Sequence, residues 1–449
     1  MSTEQIIEYV SKHPSGRVKV AITDIDGVLR GKYISSEKFL SVVTGNLGFC
    51  DVIFGWDMAD QAYDNNSFTG WHSGYPDAKV KLSINSFRKI PWENDLPFFL
   101  GEFVDATGNA LDICPRQLLQ KIIANATAAG FEAKFSQEFE WFNFIETPKT
   151  FAEKEGKHLT PLTPGMFGYS ILRSSERNDF FSALFNQLKA FDIPLEGLHT
   201  ETGPGVYEAA ITYSGVLQAA DNASLFKTAV KEIGYKHGIL ASFMAKINEQ
   251  LPGCSGHVHQ SLWQNNTNIF YNANEPNNMS ETMQQYVAGQ LFCLPHILPM
   301  VAPTINSYKR LVEGAWAPTT VTWGIDNRTV ALRALTEGSK SCRLETRVVG
   351  SDTNPYLAIA ACLAAGLYGI QHKLSLQAAT TGNGYRDESN GRFPKSLDDA
   401  TQAMKNSAIA KELFGETFVN HFTQTREWEV KQFAKVVTDW ETKRYFEII

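Results

Sequence analysis

At Asp112 the hydrophobic period of the chain changes, and this restricts it to a mixed fold with two unlike parts. Before that point, apolar residues alternate in short runs closed by turn residues. Residues 18–25 end at Asp26-Gly27, with 28–34 as the hairpin partner, and 79–84 and 98–104 are further strands. The first hundred or so residues therefore read as strands and turns, with 46–74 a long polar and aromatic loop of functional character. Beyond Asp112, Leu118, Leu119, Ile122, Ile123 and Ala126 recur at helical spacing behind Pro115, and Gly130 closes that helix. Strand and helix candidates then alternate over 131–144, 178–191, 206–214, 217–234 and 281–294. Residues 265–280 read as a loop, Asn354-Pro355 starts a buried Ala-rich helix, and 377–394 reads as a surface excursion. The expectation is an α+β chain, with a small sheet domain over 1–110 and a large mixed domain over 111–449.

Composition narrows the function classes. The 449 residues carry 41 Lys+Arg against 48 Asp+Glu, a net charge of −7 that argues against nucleic acid as the main partner. Six cysteines without a CxxC pair fit a reduced compartment. The polar start lacks the apolar core of a signal peptide, and the uncharged stretch 356–370 is too short for a membrane span. A cytoplasmic protein with no membrane partner is expected.

Four stretches set charged groups into apolar strand patterns. In FSQEFEWFNF, Glu138 and Glu140 share one strand face, about 6.6 Å apart. In HTETGPGVYEAAI, Glu201 and Glu208 flank a Gly-Pro-Gly turn, as hairpin arms would carry them. In SGHVHQSL, His257 and His259 share a face; in SCRLETRVVG, Arg343, Glu345 and Arg347 do. Each pattern alone also suits a solvated face or a salt-bridge ladder. Together, five carboxylates and one or two histidines suit a two-cation site for hard ions such as Mg²⁺ or Mn²⁺. Arg310, Arg328, Arg333, Lys340, Arg343 and Arg347 add the positive charge that phosphoryl transfer requires, and there is no GxxxxGK[ST] loop. A competing motif is VAITDIDGVLRG, a strand ending in Asp-x-Asp-Gly as in haloacid-dehalogenase-type phosphatases. There Asp24 would be nucleophile and Asp26 acid/base; the plain alternative is a hairpin turn.

The stretches NSYKRLVEGAWAPTTVTWGIDNRT, SGHVHQSL and LETRVVGSDTNPYLAIAA closely resemble the signatures of the glutamine synthetase family. The resemblance runs from about Val18 to the C-terminus. It implies a β-grasp N-terminal domain, a catalytic domain built on an antiparallel sheet, and a homo-oligomeric ring, as a dodecamer of stacked rings. Carried over by motif, Glu140, Glu201 and Glu208 would hold one divalent ion, and Glu138, His257 and Glu345 a second one bridging the ATP phosphates. Arg328 and Arg333 would clamp the transferred phosphate. Tyr213, Ser261, Lys340 and Arg343 would serve ATP. Arg310 and Arg347 would bind the carboxylates of glutamate, with the backbone near Gly253 meeting its amino group. The implied chemistry is ATP-dependent phosphorylation of the γ-carboxylate, followed by attack of a nitrogen on the acyl phosphate.

Where ammonia-using members have a flap close to LVPGYEAP, this chain reads LVEGAWAP. Trp316 replaces the carboxylate that closes the ammonium site, Glu313 replaces a proline, and Pro252 stands where an asparagine is usual. By the same resemblance, the aspartate lent to a neighbouring subunit's site would be Asp57 or Asp64. An indole wall removes the attraction for a small cation and offers a broad apolar face, so an organic amine, aromatic amines included, becomes the expected partner of glutamate and ATP. The alternatives are an ammonia-using glutamine synthetase and a non-catalytic paralogue.

Overall fold

A computed structural model describes residues 1–449. The N-terminal part is a sheet of six strands: β1 (Arg17–Thr23), β2 (Leu29–Ser35), β3 (Leu47–Cys50), β4 (Asp77–Leu82), β5 (Arg88–Ile90) and β6 (Leu96–Val104). Their order is β2-β1-β6-β4-β3, with β5 on β6; β1 and β6 run parallel and the other pairs antiparallel. The 18–25/28–34 hairpin forms as the sequence predicts, with Val18 opposite Ile34.

Two helices depart from the strands-and-turns reading. Thr3–Lys12 starts with a capping box between Ser2 and Gln5 and buries only Ile6 and Val10; Ser36–Val42 starts at the Ser35 cap and buries Phe39 and Val42. All four enter one core with Val18, Val20 and Phe99, so these short polar helices are held by packing against one face of the sheet. Its other face turns Ala21, Phe98 and Leu100 toward Phe191, Leu225 and Ala229 of the larger part.

The larger sheet has ten strands: β7 (Glu132–Phe144), β8 (Leu195–Thr200), β9 (Val206–Ile211), β10 (Ser214–Gly215), β11 (Leu240–Ser242), β12 (Val258–Gln264), β13 (Thr267–Asn268), β14 (Trp323–Ile325), β15 (Leu332–Leu335) and β16 (Arg343–Thr346). The order is β14-β15-β16-β12-β7-β9-β8, antiparallel except for β14–β15; β10 and β11 pair with β7, and β13 with β12. The helix Val216–Lys236 backs β7, where Phe226 stacks on Phe139 at 5.6 Å and meets Trp141 edge-on at 5.6 Å. The odd-numbered Phe139 and Trp141 thus take the core side, and the even-numbered Glu138 and Glu140 are turned to the opposite face. The Ala-rich helix Pro355–Gln371 is buried as expected, and the Asn354 side chain caps it by accepting from the Tyr356 N–H at 3.0 Å.

The stretch 377–394 is less of a surface excursion than its polarity suggests. Tyr385 and Phe393 are buried, and Thr320 Oγ1 donates to the Gly384 carbonyl at 2.8 Å.

Candidate active site

The cavity on the Glu138–Glu140 face of the large sheet measures about 740 Å³. Fifteen of the residues singled out from sequence line it: Glu138, Glu140, Glu201, Glu208, Pro252, Gly253, His257, His259, Arg310, Trp316, Arg328, Arg333, Arg343, Glu345 and Arg347. Strand alternation accounts for most of this set. Glu138 and Glu140 come from β7 and Glu345 from β16, with Arg347 just beyond it; Glu201 and Glu208 come from the β8–β9 hairpin. Its turn requires glycine at Gly205, where φ is +72° and a Cβ would lie 2.5 Å from the Asn143 carbonyl oxygen. Gly253 is equally constrained, since a Cβ there would lie 2.7 Å from Arg310 Cγ.

Register sets like charges against each other. Glu140 lies directly opposite Glu208, which lies opposite His199 on β8. Two carboxylates at a cross-strand position repel unless a cation sits between them. Burial and the carboxylates of Glu138, Glu140 and Glu201 push the Glu208 carboxyl well above its ordinary range. On the other side of β7, His259 Nε2 lies 3.1 Å from Glu138 Oε2, and His257 Nδ1 lies 3.1 Å from Glu345 Oε1. Burial opposes ionisation of Glu345, but His257 and Arg347 outweigh it and hold the carboxyl well below its usual range. Glu138 is likewise held at about 2, where His259 and His257 overcome burial. Neither ring nitrogen of buried His257 has a hydrogen-bond partner, although Nδ1 lies beside the Glu345 carboxylate, so the ring keeps a nitrogen for an ion. Crowded oxygens with imidazole nitrogens among them suit hard divalent cations, so the residues present fit the expected ions.

The arginines sort by tethering. Buried Arg310 donates to the carbonyls of Val348 and Arg347, each at 3.0 Å. Arg347 donates to Glu345 Oε1 at 2.5 Å, and Arg333 bridges Asp326 (Nε, 2.9 Å) and Glu345 (3.0 Å). Arg328 is exposed. Trp316 is 63% exposed at φ +59°, on a turn tied down where Arg386 meets Glu313 at 3.1 Å.

A second cavity of about 380 Å³ adjoins the first through Glu138, His259 and Arg343. Tyr213, Ser261, Lys340 and Arg343, the residues expected to serve ATP, all line it. Trp263 and Lys134 line it too: the Lys134 ammonium lies 3.8 Å from the Trp263 ring centre, and the indole N–H donates to Ser261 Oγ at 2.8 Å.

Two residues escaped the sequence reading: Tyr169, which lines the cavity, and His199, which stands behind it against Glu208. His199 Nε2 lies 3.0 Å from Glu208 Oε1, and His199, Glu201 and Glu208 bring ligand atoms within 4.8 Å of one another. Tyr169 stacks on His199 with ring centres 4.4 Å apart. Asp57 and Asp64 are not brought to this chain's own cavity. Asp57 accepts from Trp428 Nε1 and from the Ala59 and Gln61 N–H groups, each at 2.9 Å; Asp64 pairs with Lys431 at 2.5 Å. The Asp-x-Asp-Gly motif lies outside the cavity as well. Asp24 accepts from the Asp26 and Val28 N–H groups at 3.0 and 2.8 Å and from Arg30 Nε at 3.0 Å, while Asp26 pairs with Arg426. It is a hairpin turn fastened to the body, and no nucleophile faces a cleft.

Comparison with known proteins matches residues 112–445 to the catalytic domain of glutamine synthetase. Type-1 glutamine synthetase 2 of Dictyostelium discoideum is 52% identical over 98% of this chain and 85% of its own length. Glutamate–isopropylamine ligase of a Pseudomonas species is 36% identical over 99% of this chain and 98% of its own. A solved GmaS/ADP complex superposes with a TM-score of 0.85 over 98% of this chain and 99% of its own; at 24% identity, that likeness speaks for the fold. No helix is long and apolar enough to cross a membrane.

Proposed function

Because this chain belongs to the glutamine synthetase family, we propose that it is an ATP-dependent ligase joining the γ-carboxylate of glutamate to a small organic amine. The observation that carries this reading is Trp316, an aromatic wall on the flap beside the acidic cavity. The 36% identical relative named for isopropylamine supports it. The 52% identical relative named glutamine synthetase favours ammonia as the second reading.

Arg310 and Arg347 hold the glutamate carboxylates, and the Gly253 backbone meets its amino group. Tyr213, Ser261, Lys340 and Arg343 hold ATP in the adjoining cavity. The γ-carboxylate oxygen attacks the terminal phosphorus, and the bond to ADP breaks. Arg328 and Arg333 stabilise the charge on the moving phosphoryl group. The product, γ-glutamyl phosphate, has a good leaving group where the carboxylate had none. The neutral amine nitrogen attacks the acyl carbon, the carbon–oxygen bond to phosphate breaks, and the departing phosphate takes the proton the nitrogen gives up, leaving an amide. Divalent ions, Mg²⁺ or Mn²⁺, held by Glu138, His257 and Glu345 and by Glu140, Glu201 and Glu208, supply charge neutralisation at the phosphates. Residues 1–110 serve as the β-grasp domain and 111–449 as the catalytic domain, and a ring of subunits would bring Asp57 to a neighbour's site.

A panel of amines, ammonia among them, scored by ADP release with glutamate and Mn²⁺ tests the reading. We expect small alkyl or aromatic amines to lead, and ammonia outperforming all of them would overturn it.

A further inference from the structure

A separate cavity of about 200 Å³ lies at the seam between the small sheet and the helix Val216–Lys236, and none of its lining residues borders the acidic cavity. Ala21, Phe98, Phe191, Leu225 and Ala229 wall its interior, and Trp92 meets Phe191 edge-on at 4.9 Å. The space exists because small residues face one another. Ala21 on β1 and Ala229 on the helix leave a gap, and Gly31 on β2 cannot fill it, since a Cβ there would lie 2.3 Å from the Val20 carbonyl oxygen.

Most of the charge at the mouth is paired, and the remaining charged group, Lys32, donates to the Gly48 carbonyl at 2.8 Å and lies 4.5 Å from the Phe49 ring centre. Lys19 Nζ donates to Glu93 Oε1 at 2.6 Å and to Glu232 Oε1 at 3.2 Å. Trp92 Nε1 donates to Glu232 Oε2 at 2.7 Å, and the Tyr33 hydroxyl to Glu93 Oε2 at 2.9 Å. All four carboxylate oxygens are thereby used, while the Lys19 ammonium keeps one of its three hydrogens for an acceptor. A charged guest would give up its hydration for carboxylates already fully bonded or for the solvent-exposed Lys32 ammonium, which is already bound to a carbonyl. A neutral guest would gain the apolar walls and one hydrogen bond. An apolar cavity of about 150 Å³ accepts benzene, so this one suits a ring with one or two small substituents.

We propose that this seam is a binding site for a small neutral single-ring molecule carrying one hydrogen-bond acceptor, distinct from the ligase site. The inference does not depend on the ligase reading.

The test uses p-cresol as probe, with the intact protein followed by calorimetry and by thermal unfolding. We expect saturable binding of one molecule per chain, a rise in melting temperature with probe concentration, and at least tenfold weaker binding in Ala229→Leu and in Thr228→Phe. Thr228 is half-buried at the cavity edge, so the second substitution tests occupancy if the first prevents folding. No saturation at millimolar probe, or equal affinity in the variant that folds, would overturn the proposal. So would benzoate or benzylamine binding more tightly than p-cresol in a manner blocked by the same substitutions.

Discussion

Glu140 on β7 and Glu208 on β9 stand directly opposite each other across the strand register, two carboxylates in one cross-strand position. Such a pair weakens the fold by up to about 1 kcal/mol unless a cation lies between them. Mn²⁺ or Mg²⁺ should therefore raise the melting temperature of the chelator-treated protein, and Glu208→Gln should raise it by about 1 °C without metal. The same substitution should erase most of the metal-induced rise and the metal-dependent ADP release. Thermal unfolding with and without EDTA reads both effects; an unchanged metal response in Glu208→Gln would remove this residue from the ion site.

Trp316 should decide the nitrogen donor. Returning a carboxylate to the flap with Trp316→Glu restores attraction for a small cation and removes an apolar wall. kcat/KM for ammonia should rise, and that for the best organic amine should fall, each by about tenfold. KM for ATP should stay unchanged, because the nucleotide residues line the adjoining cavity. Equal losses for all nitrogen donors would leave Trp316 as packing alone.

Arg328 and Arg333 should separate when truncated. Arg328 is exposed, so Arg328→Ala should lower kcat by about 100-fold and leave the melting temperature within a degree. Arg333 is a partner of buried Glu345, so Arg333→Ala should cost both activity and stability, the latter by about 1–3 kcal/mol. A denaturant series beside steady-state kinetics distinguishes them.

Acid sensitivity should trace in part to His421. The imidazole is buried against Phe54 and Phe68, has no hydrogen-bond partner, and burial followed by the Arg426 charge holds it down at about 4. The unfolded chain, with a value near 6.5, takes up the proton first. Stability is therefore intact above about pH 6.5 and declines as pH falls toward 4, by about 3 kcal/mol from this residue. His421→Phe should flatten that part of the pH–stability curve; an unchanged slope would assign the loss elsewhere.

The sequence disclosed the parts of the site that obey period two. Parity alone places Glu138 with Glu140, and Arg343 with Glu345 and Arg347, and all five line the acidic cavity. His199 faces Glu208 in a register that stays regular from the hairpin turn, the irregularity between Leu195 and Gly197 lying beyond it, so counting back from Glu208 across the turn reaches it. Tyr169 lies outside any strand, at φ +56°, where no periodicity speaks for it. The helix Thr3–Lys12 was obscured for another reason. Two buried residues make too narrow a stripe to register as a period, although Ser2 and Gln5 spelled its cap. Tyr385 and Phe393 sit in a polar stretch whose composition says surface, and only tertiary packing takes them inside.

Arg310 is moored by two of its nitrogens to main-chain carbonyls at the far end of β16, one of them the carbonyl of Arg347. The two guanidiniums that would grip an amino acid at its opposite ends are thus posts on one foundation, and the span between them cannot stretch to suit a visitor. An acid one methylene shorter or longer than the gap should be turned away for its length, however well its charges match.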